Sequence, residues 1–167
     1  GQGAFWRGRY RPESDGSRGA ERRRDPDMKT IAISGWYGCG NVGDEAILTA
    51  ALDAFLSRDP NTSFVVISEA PERIERDYRA YPVRAVRQRS YYYPLEFVSG
   101  VASGAIGTLA SAIKGSDLFL LGGGGILRDN TSMRNLVRVV DECVLANLLG
   151  VPVALFALGV GPIGTKW

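Results

Sequence analysis

An α/β fold with a largely parallel sheet is what this sequence predicts, on three observations. Short apolar runs alternate with segments of helical periodicity across residues 28–167. The runs are apolar at consecutive positions, as in strands covered on both faces by helices. Glycine-rich segments follow three of the runs, at Gly35–Gly43, Gly122–Gly125 and Gly159–Gly164. Right-handed crossovers bring the C-terminal ends of parallel strands to one edge. All three glycine segments are therefore expected as turns on the edge where open α/β sheets bind ligands.

The elements follow in order. Ile31–Ser34 is the first strand, and its exit is punctuated by Gly35, Gly38, Gly40 and Gly43. A helix comes next, with apolar residues at Ala46, Ile47, Ala50, Ala51, Ala54 and Phe55, at three- and four-residue steps. Ser57–Thr62 is a turn, and Phe64–Ser68 the second strand. Ala70–Tyr78, with Pro71 near its start, predicts a short charged helix, and Val83–Val86 a third strand. Pro94–Ile113 carries one charge, Glu96, but also Gly100, Gly104 and Gly107, which favours a buried or membrane-surface helix over a membrane span. Asp117–Leu121 is a strand running into the four glycines. Met133–Leu149 is a helix with Leu136, Val137, Val140, Val144, Leu145 and Leu148 on one face, and Gly150 ends it. Val153–Leu158 is the last strand.

The chain, 167 residues long, suffices for one domain with a sizeable core. Its net charge of +2 lies wholly in residues 1–27, which hold seven arginines against five acidic residues. That stretch is poor in aliphatics and is expected to be a disordered basic tail outside the fold, not necessarily native; an RNA-binding or membrane-surface arm is the alternative. Met28 leads straight into the first strand, so the domain is taken as 28–167. This part is electrically neutral, which argues against a nucleic-acid partner. The chain has no histidine, so the commonest general base and metal ligand is missing, and no metal site is expected. Cys39 and Cys143 have no metal spacing and suit a reducing cytosol better than a disulfide framework.

Gly38-Cys39-Gly40-Asn41-Val42-Gly43 fits the G-x-G-x-x-G pattern of dinucleotide sites, with Glu69 as the acidic residue past the second strand. Asp44 and Glu45 follow at once, and two carboxylates favour a helix N-terminus but repel a pyrophosphate. A helix cap with close strand–helix packing is the bland alternative. Asp44 is singled out as a carboxylate able to orient a sugar hydroxyl or take its proton. The four glycines invite close approach by a ligand, and Arg128, Asp129, Asn130, Thr131 and Ser132 behind them form a polar set at a helix start. The competing assignment is a cap at Thr131 or Ser132 and a turn at Asp129. Arg134, in the first helical turn, suits an anion or plain solvent.

The stretches SGWYGCGNVGDEAIL (34–48), DLFLLGGGGILRDNTS (117–132) and ALGVGPI (157–163) resemble, in order and spacing, three blocks of the polysaccharide pyruvyl transferase family. The third and fourth glycines of the run and Arg128 depart from many relatives. The resemblance implies the N-terminal half of a GT-B-like two-domain fold, with the active site between two Rossmann-like halves. It implies transfer of pyruvate from phosphoenolpyruvate, as donor substrate with no further cofactor, to a saccharide acceptor of a cell-surface polysaccharide precursor, often lipid-linked. The donor-binding Arg and His would lie in a C-terminal domain beyond Trp167, and the sequence is expected to be cut there. This half is then assigned to the acceptor: Asp44 or Asp129 as catalytic hydroxyl-orienting groups, with Gly40, Asn41, Gly43, Gly123, Gly124, Thr131, Ser132 and Arg134 binding substrate. The expected place is the cytoplasm, at the inner membrane face if the enzyme makes peripheral contact there. A GT-B glycosyltransferase using a nucleotide sugar, or a non-catalytic binding fragment, are the alternatives.

Overall fold

The computed structural model describes residues 29–88, 102, 104–127 and 133–161, excluding the side chains of residues 105, 134 and 135. The basic tail, Met28, most of the first half of Pro94–Ile113 and the set from Arg128 to Ser132 lie outside the described residues.

Five strands form one parallel sheet: β1 (Thr30–Ser34), β2 (Ser63–Ser68), β3 (Val83–Arg87), β4 (Leu118–Leu127) and β5 (Val153–Val160). Their order is β3-β2-β1-β4-β5, so the fold is Rossmann-like. Central β1 pairs on both sides, with Ile33 opposite Val66 and Leu120. The helices are α1 (Val42–Arg58), α2 (Pro71–Asp77), α3 (Ala105–Lys114) and α4 (Met133–Leu148). Consecutive strand residues point to opposite faces, and each face has its own core. Ile31, Ile33, Phe64 and Val66 pack with Leu48 and Leu52 of α1 and Ile74 of α2. Ala32, Val65, Ile67 and Phe119 pack with Leu109 and Ile113 of α3 and Val139 and Ala146 of α4. Each large side chain buried this way contributes roughly 1.5–3 kcal/mol before the entropy of ordering is set against it.

The structure corrects the sequence at the buried faces of α1 and α4 and at two glycine segments. The buried stripe of α1 is Leu48, Ala51, Leu52 and Leu56, while Ala46, Ala50 and Ala54 are exposed. Leucines remove more apolar area from water than alanines, so the helix turns them to the sheet. On α4 the expected apolar face is split: Val140, Val144 and Leu148 are exposed, and the buried face carries Arg138 and Glu142 beside Val139 and Ala146. The helix packs chiefly against β4, and no described element covers the side that carries Val140, Val144 and Leu148. Gly122–Gly125 is not a turn but the middle of β4, which continues to Leu127 with a register shift against β5 between Gly124 and Leu127. Gly159 likewise lies inside β5. Of Pro94–Ile113, the described helical part is α3, which buries Leu109, Ala112 and Ile113; no described helix is long and apolar enough to cross a membrane.

Candidate functional site

The strand order reverses between β1 and β4, so the C-terminal ends of these two strands flank the crevice of the sheet. Two glycine-bearing segments meet there. The chain leaves β1 through Gly35, packed under the Gly122 carbonyl of β4. Tyr37 then folds back, 1% exposed, with its ring on Gly122 and Gly123. Gly38 and Gly40 have φ of 80° and 81°, a left-handed turn that side chains disfavour. The turn is tied to the end of β2: Ser68 Oγ donates to the Tyr37 carbonyl at 2.7 Å and accepts the Ala70 amide at 2.9 Å.

Asn41 caps α1. Its Oδ1 accepts the Gly43 amide at 3.1 Å, and its Nδ2 donates to Asp44 Oδ2 at 2.7 Å. One side chain thus satisfies a helix amide and aims a carboxylate. Asn41→Ala is expected to cost about 1 kcal/mol in urea-unfolding stability, the usual worth of a cap; an unchanged midpoint would contradict the capping role.

The two carboxylates differ in role. Glu45 is engaged by the protein: it accepts the Gly38 amide at 2.7 Å and the Tyr78 hydroxyl at 2.8 Å. A backbone amide that an anionic ligand would use is therefore already filled. Asp44 is buried, 6% exposed, and its Oδ1 faces β4. A Cβ on Gly124 would lie 2.7 Å from that oxygen, and Gly124 has φ of 62°, so both space and backbone call for glycine. Burial first, then the neighbouring Glu45, pushes the Asp44 pKa up, against the Asn41 hydrogen bond that lowers it. Asp44 is consequently a stronger base than an ordinary carboxylate.

Of the residues expected from sequence, Asp44, Asn41, Gly40, Gly43, Gly123 and Gly124 are described. Asp44, Asn41 and Gly124 meet directly, and Gly123 carries the Tyr37 ring. Gly43 serves the cap through its amide, and Gly40 forms the left-handed turn. Asp129, Thr131 and Ser132 lie outside the described residues; Arg134 stands in the first turn of α4, its side chain outside the description. Glu69, the expected ribose partner of a dinucleotide site, is ion-paired with Arg138.

Two residues go unnoticed in the sequence. The Tyr37 hydroxyl is buried against β4 with no hydrogen-bond partner among the described residues. Burial, then the Asp44 charge, raises its ionisation above the ordinary tyrosine value. Exposed Arg73 reaches back from α2, its Nη2 3.5 Å from where a Gly40 Cβ would stand, putting a cation beside the loop. Spacing in a charged helix cannot single it out. Among the described residues no three His, Cys, Asp or Glu side chains cluster to hold a metal.

The site is thus a desolvated carboxylate aimed by an amide over a glycine-lined strand end, with one cation nearby. Such a set can hydrogen-bond a polyhydroxyl ligand and remove a hydroxyl proton.

No curated protein matches the sequence. Among solved structures the chain is similar to the C-terminal domain of a Pyrococcus furiosus hydrogenase, at 14% identity over 77% of this chain and 90% of that one, with a TM-score of 0.32. The family described as polysaccharide pyruvyl transferase matches residues 41–167, a span that begins at the Asn41 cap and takes in Asp44 and the β4 glycines, and the chain belongs to that family.

Proposed function

We propose that this chain provides the acceptor-binding half of an enzyme that transfers pyruvate from phosphoenolpyruvate to two hydroxyls of one sugar residue. The product is a cyclic ketal and the by-product phosphate. Asp44 is the observation that carries the proposal: a buried carboxylate, aimed by Asn41, at the switch point of the sheet. The family match supplies the reaction class.

In the proposed reaction the methylene carbon of the donor gains a proton, and C2 becomes electrophilic. One sugar hydroxyl attacks C2 and loses its proton. The C2–O bond to phosphate breaks, and a second hydroxyl attacks and loses its proton. Of the two hydroxyl protons, the balance leaves one on the new methyl group and one on phosphate. Asp44 orients the attacking hydroxyl and takes its proton, the task its raised pKa suits. Exposed Gly125, beside half-buried Gly124, lets a sugar ring approach the backbone. Asp129, Thr131, Ser132 and Arg134 complete the acceptor subsite in this proposal. The carboxylate and phosphate of the donor call for several cations and an acid, assigned to a second Rossmann-like half of a GT-B-like arrangement. The donor is a cytosolic metabolite, so the reaction is placed in the cytoplasm, facing acceptors at the membrane.

The test uses the full-length protein with phosphoenolpyruvate and a saccharide acceptor, following phosphate release. Asp44→Asn is expected to lower kcat by about 10²–10⁴-fold, the usual worth of a positioned base. If Asp44→Asn and Asp129→Asn together left turnover unchanged, the assignment would fail. A nucleotide-sugar donor is disfavoured because Glu45 fills the Gly38 amide and Arg138 engages Glu69. Thermal shift with nucleotide sugars against phosphoenolpyruvate separates the two donors.

A further inference from the structure

A second polar cluster lies on the opposite face of the sheet from α1, beneath the same strand ends. Glu142 of α4 is fully buried. Its Oε2 accepts a hydrogen bond from Ser34 Oγ, on the last residue of β1. Gln88, one residue past β3 and itself buried, is a second hydrogen-bonding neighbour of the same carboxyl. Arg138, one turn earlier on α4, is ion-paired with Glu69 just beyond β2, whose carbonyl also accepts Arg87 Nη1 at 2.6 Å. Two residues of one helix thus reach the ends of three adjacent strands. A lone carboxylate in such a place is costly unless it is paired or protonated. Its Oε1 has no hydrogen-bond partner among the described residues.

The route from Glu142 to the candidate site is short and stiff. Ser34 precedes Gly35, which is wedged against the Gly122 carbonyl and the Tyr37 ring. Tyr37 packs on Gly123, and Gly124 abuts Asp44. We infer that Glu142 is a positioning residue: through Ser34 it holds the Gly35–Gly43 loop and Asp44 in place, and ionisation, which puts a charge into this fully buried site, loosens the packing around it even though the Ser34 bond itself favours the ionised form.

The electrostatics agree in direction. Burial, the largest influence, pushes the Glu142 pKa from 4.5 to about 7, while the hydrogen bonds of Ser34 and Gln88 and the charge of Arg138 oppose the rise and Asp141 adds to it. Cys143, the next residue of α4, has its own thiol pushed up to about 11, by burial and then by Glu142. Glu69 faces the cluster from β2 through Arg138, and α3 and β4 present the apolar Leu109, Ile113, Phe119 and Leu121 on this face. The sign follows: the folded chain holds this proton more tightly than the unfolded one. The stabilisation is complete below about pH 4.5 and is lost as pH rises through about 7.

The inference stands apart from the pyruvyl-transfer proposal, because its test reads folding and the loop rather than turnover. Trp36 lies in the loop, between Gly35 and Tyr37, and the other tryptophans, Trp6 and Trp167, can be replaced by Phe to leave it as the reporter. In this chain the Trp36 emission and the urea midpoint are expected to titrate together near pH 7. Glu142→Gln keeps the shape and a hydrogen-bonding amide but cannot titrate, so both profiles should become flat across that range. Ser34→Ala removes a bond that favours the ionised form and should move the titration upward by about half a unit to one unit. A Trp36 signal independent of pH from 5 to 8.5 in the parent, or a titration that persists unaltered in Glu142→Gln, overturns the inference. Should Glu142→Gln not fold, Ser34→Ala decides alone: an unmoved midpoint overturns the assignment of the proton to this pair.

Discussion

Gly35→Ala is expected to destabilise the chain by about 3 kcal/mol or more, enough to unfold a marginal domain. The cause is space, since Gly35 is not among the residues with positive φ. A Cβ there would stand 2.1 Å from the Gly122 carbonyl oxygen and 2.5 and 2.7 Å from the Tyr37 ring. The oxygen belongs to β4 backbone in the middle of the sheet, and the ring is buried, so neither can yield without parting β1 from β4 or expelling Tyr37 from the core. Gly107→Ala is the internal control. Gly107 lies within α3, and a Cβ there would meet nothing within 4 Å. Replacing a helical glycine in open space removes unfolded-state entropy and is expected to stabilise by about 0.5–1 kcal/mol. Urea unfolding of both variants measures the contrast. A Gly35→Ala chain as stable as the parent would mean that β1 and β4 are not packed this closely.

The sheet is legible in the sequence because each strand is a short run rich in apolar residues and glycine-rich segments follow three of them. All five runs are strands in the structure, paired in parallel in the order β3-β2-β1-β4-β5. Asp44 is legible too, since a carboxylate behind a glycine loop can be placed by local geometry alone. What stays hidden depends on partners distant in sequence. Tyr37 resembles a loop aromatic because the floor it rests on, Gly122 and Gly123, comes 85 residues or more later. Glu142 resembles a solvated helix charge because Ser34, its partner, is 108 positions away. The glycine run resembles a turn because composition cannot distinguish a flexible loop from a strand that must admit a neighbouring ring and carboxylate. In β4 the glycines serve the second purpose: Gly122 and Gly123 make room for Tyr37, and Gly124 for Asp44.

Tyr37 offers the other large effect, with opposite signs for two substitutions. Tyr37→Ala empties a fully buried aromatic position between α1, β1 and β4, and is expected to cost about 3–5 kcal/mol. Tyr37→Phe keeps the ring and removes only the hydroxyl. A buried hydroxyl with a partner would be missed, but this one has none among the described residues. Folding therefore removes it from water without return, and deleting it should leave stability unchanged or raise it by about 1 kcal/mol. The alkaline limb supplies an independent check. Burial and the Asp44 charge raise the Tyr37 ionisation above its ordinary value of 10.0, so the folded chain keeps this proton longer than the unfolded chain. The stabilisation is intact below about pH 10 and drains away as pH climbs toward the raised folded value. Tyr37→Phe lacks that proton, so its advantage over the parent should widen above pH 10 in urea unfolding followed by circular dichroism. A loss of more than about 1 kcal/mol in Tyr37→Phe at neutral pH would show instead that the hydroxyl is hydrogen-bonded in solution. The Tyr37–Asp44 corner would then be a shared hydrogen-bonded unit, and ring and carboxylate would act together rather than in separate roles.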